Sequence, residues 1–365
     1  MDATQKAAAA PEAMSVPAER RAAPRPVTPG WVDRLIRWVD RLPGRWWAWY
    51  AAAAVVGVLG ANGTLWLAGS QESGTFSVTQ TYYGVLPVVL ILTLRYLDGA
   101  ARRAATTFRP ALDVDDASFS ALVDELTLLP ARPTLVLTLA VAAFTVLDLV
   151  GDPVASRVEG MAPAPLAARV VSEALVSVLF VLLAYHTVRQ LRAVTRVHAL
   201  AVRIDLFRPV PIHGFSGLTM RTALVIAGLL LSSVAADPGG WELASAYIWV
   251  GWFGGGLVIA FLAFTLPLRG MHDRIVVEKH RLQDANGTRL SAVTADLHAV
   301  VDSGDLGRVD GLNKALASLV AERDLLAKLP TWPWQPGQAW AVGSATLLPI
   351  AIFLLTRVLG QQLHV

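Results

Sequence analysis

The chain has 365 residues, of which 54% are hydrophobic and only 16% are charged, and its formal net charge is +3. Because a soluble domain carries about a quarter charged residues, this composition excludes a disordered or nucleic-acid-binding chain and argues against an ordinary soluble enzyme. The sequence contains no cysteine, which also excludes disulfides, thiolate metal sites and cysteine nucleophiles. The composition instead predicts an all-α protein with several membrane spans.

The N-terminal segment precedes any long apolar stretch. Residues 1–30 are rich in Ala and Pro without a period, which is typical of a flexible tail. Residues 31–45 begin with a seven-residue duplication, WVDRLIR followed by WVDRLPG. Its two-faced pattern favours an amphipathic helix on the membrane surface, with a dimerising seam as the alternative. The charged face is expected to hold Asp33, Arg34, Arg37, Asp40 and Arg41.

Seven apolar stretches are candidates for membrane-spanning helices, each of which needs about 20 residues. Three of them reach that length only by taking in charged neighbours. The first six predict a bundle over residues 46–267, with loops at 96–132 and 189–217. The predicted spans are 46–68, 76–95, 133–151, 166–188, 218–236, 244–267 and 339–359.

The basic residues are strongly biased to one side of these spans. Of 31 lysines and arginines, 27 fall in the segment up to Arg45 and in the segments 95–132, 189–208 and 269–328. Because such residues stay on the cytoplasmic side, we expect a cytoplasmic N-terminus. With seven spans the C-terminus would lie outside, and the host bilayer would be the cytoplasmic (inner or plasma) membrane.

Three charged residues fall at similar depth in the outer half of the third and fourth spans. Arg169 and Glu173 are four residues apart and suited to pairing, and Asp148 can reach them from the neighbouring helix. An unpaired charge at the centre of a membrane costs about 2.5–3.5 kcal/mol, so we expect a cluster facing the bundle. It is either an outward-facing site for a cation or proton or a structural ion-pair network.

The sixth span contains a pattern of small residues. Gly251 and Gly255 match the small-xxx-small motif that lets another helix approach closely. The approaching helix would belong to the same bundle or to another subunit.

The fourth span is expected to continue as a helix to Asp205 and to end before Pro209, because residues 169–205 contain no Pro or Gly. Beyond the sixth span, residues 268–330 form the only sizeable hydrophilic segment. Apolar residues at heptad spacing flank the sequence DSGDLG and predict an antiparallel, coiled-coil-like hairpin on the cytoplasmic side, with a break expected near Lys279 or Asn286. The seam residues are Leu290, Val293, Leu297 and Val300 on one arm and Val309, Leu312, Leu316, Leu319, Arg323 and Leu326 on the other.

The hairpin is joined to the seventh span by a proline-rich and tryptophan-rich segment, and residues 331–365 comprise this joint and that span. Its prolines, including Pro333, forbid a continuous helix. Trp332 and Trp334 are expected at headgroup level, either to pass a movement of the hairpin to the last span or simply to anchor the chain.

No catalytic motif, metal site or cofactor site is recognisable, and the seven scattered histidines are expected to be mostly solvated. We therefore expect a non-enzymatic scaffold or signal-coupling protein. Its hairpin, residues 270–330, would contact a cytoplasmic partner or a second copy, with the lipid bilayer as its other partner and no nucleic acid. The alternative is an ion- or proton-coupled transporter or channel that uses Asp148, Arg169 and Glu173.

Overall fold

A computed structural model describes residues 27–151, 163–202, 204–207, 210–236, 251, 254–304, 306–335 and 337–347. This part of the chain is helical and contains no strand. Residues 337–347 are helical as well. The principal α-helices are α1 (Trp31–Arg41), α2 (Trp46–Leu67), α3 (Val78–Phe108), α4 (Asp116–Thr127), α5 (Ala131–Gly151), α6 (Pro163–Ala199), α7 (Ser216–Ala236), α8 (Gly255–Thr265), α9 (Arg269–Ser303) and α10 (Val309–Lys328).

Several helices are long and apolar enough to cross a membrane, as the sequence predicts. Within the described residues there are six such segments, and the predicted seventh span, 339–359, lies largely outside them. Large apolar side chains on the outer surfaces of α2 and α5, such as Val56 and Phe144, are more than half exposed, which suits contact with lipid. The six segments are Trp46–Leu67, Val78–Ala111, Ala131–Gly151, Pro165–Ala199, Ser216–Ser233 and Gly255–Ser303.

Two of the helices extend well past the predicted ends of their spans. The helix α3 continues to Phe108 and α6 to Ala199, so much of the predicted loops 96–132 and 189–217 is helix. With α4 and the start of α9 they enclose a core around Phe108 and Phe215. We call this end of the bundle, where α3 and α6 finish and α5 and α7 begin, the arginine-rich end.

The helix α6 stops earlier than its sequence predicts. It was expected to reach Asp205, but it ends at Ala199. The next residues pair with the segment after α3, where the Val202 N–H donates to the Ala111 carbonyl at 3.0 Å and Ala201 forms a β-bridge with Leu112. The helix therefore ends where its backbone pairs with a distant segment of the chain. The local sequence around Ala199 contains no signal for this pairing.

The helices α8 and α9 form one continuous helical rod. A single turn of 3-10 helix, Leu266–Leu268, joins them, and α9 runs unbroken to Ser303. The expected break near Lys279 and Asn286 is absent from this helix. Both side chains instead contact α10: the Lys279 ammonium donates to the carbonyls of Ala327 and Leu329, at 2.9 and 2.8 Å.

Candidate functional site

The predicted charge cluster is distributed over two grooves that meet at Glu173. Arg169 and Glu173 form an ion pair one turn apart on α6, with 34% and 29% of their side-chain surfaces exposed. Both line a groove of about 540 Å³ between α2, α3 and α6. Glu173 also lines a second groove of about 430 Å³ between α5 and α6, and Asp148 lies on its wall. Glu173 is therefore common to both grooves, with Arg169 beside it in the first and Asp148 on the wall of the second.

The first groove has a mixed lining. Its apolar wall consists mainly of small residues, while α3 contributes Gln80 and Tyr83 and α6 contributes Ser172 beside the ion pair. The groove runs from Ala68, at the end of α2, down to Gly57, which is about 16 Å at 1.5 Å per residue. That length is about half the thickness of the hydrocarbon core, so the groove would reach roughly the middle of the bilayer.

Within the described residues, two close approaches between helices involve glycines other than Gly251 and Gly255. A Cβ built on Gly84 would lie 2.6 Å from the Gly57 carbonyl oxygen, so α2 and α3 touch through their backbones. A Cβ on Gly256 would clash with both methyl groups of the Leu230 side chain on α7. At Gly251 and Gly255 a Cβ would meet no atom within 4 Å in the described part of the chain, so their predicted role in packing has no support there.

The joint residues take part in a stack of four aromatic rings. The His272 ring lies 4.1 Å from Trp332, Trp332 lies 4.3 Å from Trp334, and Trp334 lies 5.2 Å from Phe264. Pro333, which lies between the two tryptophans in the sequence, is buried. His272 Nδ1 bonds the Thr331 carbonyl at 2.9 Å. The stack attaches the chain that leaves α10 to both sides of the junction between α8 and α9.

The helices α9 and α10 contact each other. Val300 and Leu326 are buried, and the other apolar seam positions are partly exposed. Just before the first predicted seam position on α9, the buried Asn286 side chain donates to the Leu319 carbonyl at 3.1 Å and to the Glu322 carboxylate at 3.0 Å. Asn286, which suggested a break, is thus a polar contact between the two helices.

The sequence did not reveal a buried polar cluster at the arginine-rich end. His186, only 1% exposed, lies with its Nε2 atom 2.7 Å from a carboxylate oxygen of Asp98. Asp33 lies beside this pair and is 6% exposed, although it was expected on the charged, solvated face of α1. Burial is the main cause that raises the pKa of Asp33 from 3.8 to about 6. The cluster joins α1, α3 and α6.

Two of the seven histidines are exceptions to the expectation of mostly solvated positions. His186 and His198 are both buried. The His198 ring packs edge-on against Phe108 and Phe215, and its Nδ1 atom bonds the Pro267 carbonyl at 2.9 Å. His186 lies inside a predicted span, where a polar group needs a partner. The position of His186 within an apolar span was therefore a signal that it has a polar partner, which the structure shows to be Asp98.

Among the described residues no group of three or more His, Cys, Asp or Glu side chains is arranged to hold a metal ion. We compared the chain with known protein families, with curated proteins and with solved structures, and it matches none of them.

Proposed function

We propose that this protein is a non-enzymatic scaffold or signal-coupling protein of the cytoplasmic (inner or plasma) membrane. It has seven spans, a cytoplasmic N-terminus and a C-terminus outside. The orientation rests on the lysine and arginine bias, because 27 of the 31 basic residues fall in the segments that would lie on one side of the predicted spans. Tags at the two termini that are cleaved by protease from the same compartment would contradict it.

In this proposal α9 and α10 form an antiparallel hairpin on the cytoplasmic side. The contacts of Lys279 with the end of α10 and of Asn286 with its middle support the antiparallel arrangement. A pair of helices alone buries little of its seam, and most seam positions stay partly exposed here. The hairpin therefore has a polar surface with a line of apolar residues along it. A partner, either another protein or a second copy, could bind to that surface.

The observation that carries the proposal is the continuity between the hairpin and the membrane helices. The rod formed by α8 and α9 leads from the apolar segment into the hairpin without an interruption of its helix. The ring stack then attaches the other arm of the hairpin, through Trp332 and Trp334, to the same rod at His272 and Phe264. A displacement of the hairpin by a partner would thus reach the bundle through two connections.

Site-specific photocrosslinking of the full-length protein tests this function. A photoreactive residue at Ala295 on α9 or Ala321 on α10, both exposed, should give a discrete crosslinked species in native membranes. The purified protein in liposomes shows whether that species is a second copy. The same residue at Ala117, exposed on α4, is the matched control and should not give it. The proposal fails if neither hairpin position yields a species that Ala117 lacks.

A second candidate is an ion- or proton-coupled transporter or channel. The observation that favours it is the position of Glu173, which lines both grooves. Its ion-pair partner Arg169 lines only the first groove. It predicts pH- or cation-dependent flux in liposomes that Glu173→Gln abolishes. Asp148→Asn should reduce the flux, because this change removes the other carboxylate of the second groove. Flux equal to that of empty vesicles excludes this candidate.

A further inference from the structure

The helix α1 is docked against the bundle through both apolar and polar contacts. Val32 is fully buried among residues of α3, α5 and α6. The Trp31 indole N–H donates to the Thr138 hydroxyl of α5 at 2.9 Å. Just before the helix, the Gly30 N–H donates to the Leu129 carbonyl at 2.7 Å. The N-terminal segment is therefore held at the beginning of α5.

Asp33 is the buried ionisable group of this interface. Its Oδ2 atom accepts the backbone N–H of Leu129 at 2.9 Å and that of Gly30 at 3.2 Å. Both hydrogen bonds go to the same oxygen. The other oxygen, Oδ1, is therefore able to carry a proton without the loss of either bond.

The charges around Asp33 come from α3 and α6. Asp98 of α3 adds a second negative charge, which is paired with His186 of α6, and Arg189 of α6 also interacts with Asp33. The helix α2 contains no ionisable side chain other than Tyr50, and Arg132 of α5 is exposed. Arg34 and Arg37 of α1 are exposed too. Burial of Asp33 and the nearby Asp98 carboxylate favour its protonated form, whereas His186 and the two N–H bonds favour its charged form, and burial is the largest of these influences.

We propose that Asp33 is a proton-binding site that makes the docking of α1 depend on pH. The proton is taken up at Oδ1 when α1 docks and is released to solvent when α1 leaves the bundle. This inference does not depend on the proposed function, because it concerns a different element and a different contact.

The direction of the pH dependence follows from linkage. Burial raises the pKa of Asp33 to about 6 in the docked state, from its ordinary value of 3.8. The docked state therefore binds the proton more tightly, and acid favours docking. The contribution is complete below about pH 4 and is lost as the pH rises through 6. Between pH 5 and pH 7.5 the docking equilibrium constant is expected to fall about tenfold.

The absence of native cysteine permits a direct measurement with the full-length protein in nanodiscs. Val32→Cys places a thiol at a buried position that a maleimide reaches only when α1 undocks. Trp38→Cys, on the exposed side of α1, corrects for the pH dependence of the thiol reaction. The ratio of the two labelling rates should rise about tenfold from pH 5 to pH 7.5.

Two further variants separate Asp33 from other groups. With Asp33→Asn added, the ratio should be independent of pH, because an amide bonds the same N–H groups but does not titrate. With Asp40→Asn added, which changes an exposed aspartate of the same helix, the pH dependence should persist. An unchanged ratio in the parent protein, or a pH dependence that survives Asp33→Asn, would overturn the proposal.

Discussion

The backbones of Gly57 and Gly84 are in direct contact where α2 crosses α3. A Cβ on Gly84 would lie 2.6 Å from the Gly57 carbonyl oxygen and 2.8 Å from Cα of Val58, and a Cβ on Gly57 would also clash with Gly84. Unlike a flexible side chain, backbone atoms cannot change rotamer to relieve such a clash. A side chain at either position must therefore separate the two helices.

Gly84→Ala should destabilise the bundle by about 1–3 kcal/mol, the usual cost of overpacking a tight contact. The measurement is unfolding of the purified protein by denaturing detergent. Gly60→Ala, on the same α2 helix with no neighbour within 4 Å, is the control and should be neutral or slightly stabilising, because alanine favours a helix more than glycine does. Equal effects of the two substitutions would show that the contact does not form.

Gly256→Ala should have a smaller effect, about 1 kcal/mol, because its neighbour is the end of the Leu230 side chain, which can turn away. Gly255→Ala should leave stability unchanged. Thermal unfolding in detergent compares the two. If Gly255 instead packs against another subunit, its substitution will change the oligomeric state, which size-exclusion chromatography with light scattering detects.

Much of the membrane architecture could be predicted from composition, because the requirement for long apolar stretches acts locally on each helix. Contacts between distant segments could not. The end of α6 depends on pairing of Ala201 with Leu112, and the burial of Asp33 depends on the Leu129 N–H, 96 residues away. The helical period assigned Asp33 to the same solvated face of α1 as the arginines. The period alone does not show which side of a short helix packs against the bundle.

Asn286→Asp should weaken the contact between α9 and α10 by about 1–3 kcal/mol, because it places a second carboxylate beside Glu322 and removes the donated hydrogen bonds. Hydrogen exchange of the α10 amides measures the change. Asn313→Asp, at an exposed position of α10, is the control.

The double variant Asn286→Asp with Glu322→Gln tests the cause. It should recover part of the lost protection, because the amide at position 322 donates to the new carboxylate. Protection that stays low in the double variant would indicate that charge repulsion is not the source of the effect.

Trp332→Leu should destabilise the junction of α8 and α9 by about 1–3 kcal/mol, because it removes both ring contacts of Trp332 in the stack. Thermal unfolding followed by tryptophan fluorescence measures this. The control is Trp340→Leu, since Trp340 is 79% exposed. A stack that contributes nothing would give the two variants the same melting temperature.

Arg169→Gln should destabilise the protein by about 1–2 kcal/mol, because Glu173 then lacks its partner in a membrane-spanning helix. The double variant Arg169→Gln with Glu173→Gln should restore most of this loss, as it removes both charges. Detergent-induced unfolding distinguishes the two. If the single and double variants are equally stable, the ion pair does not contribute to the bundle.

The unbroken helix from Gly255 to Ser303 has the geometry of a lever with its fulcrum at the 3-10 turn Leu266–Leu268. The α9 arm of 35 residues is about 53 Å long and the α8 arm of 11 residues is about 17 Å long. Pivoting at the turn would therefore reduce a 3 Å swing of the distal tip to about 1 Å at Gly255, with about a threefold gain in force at that residue.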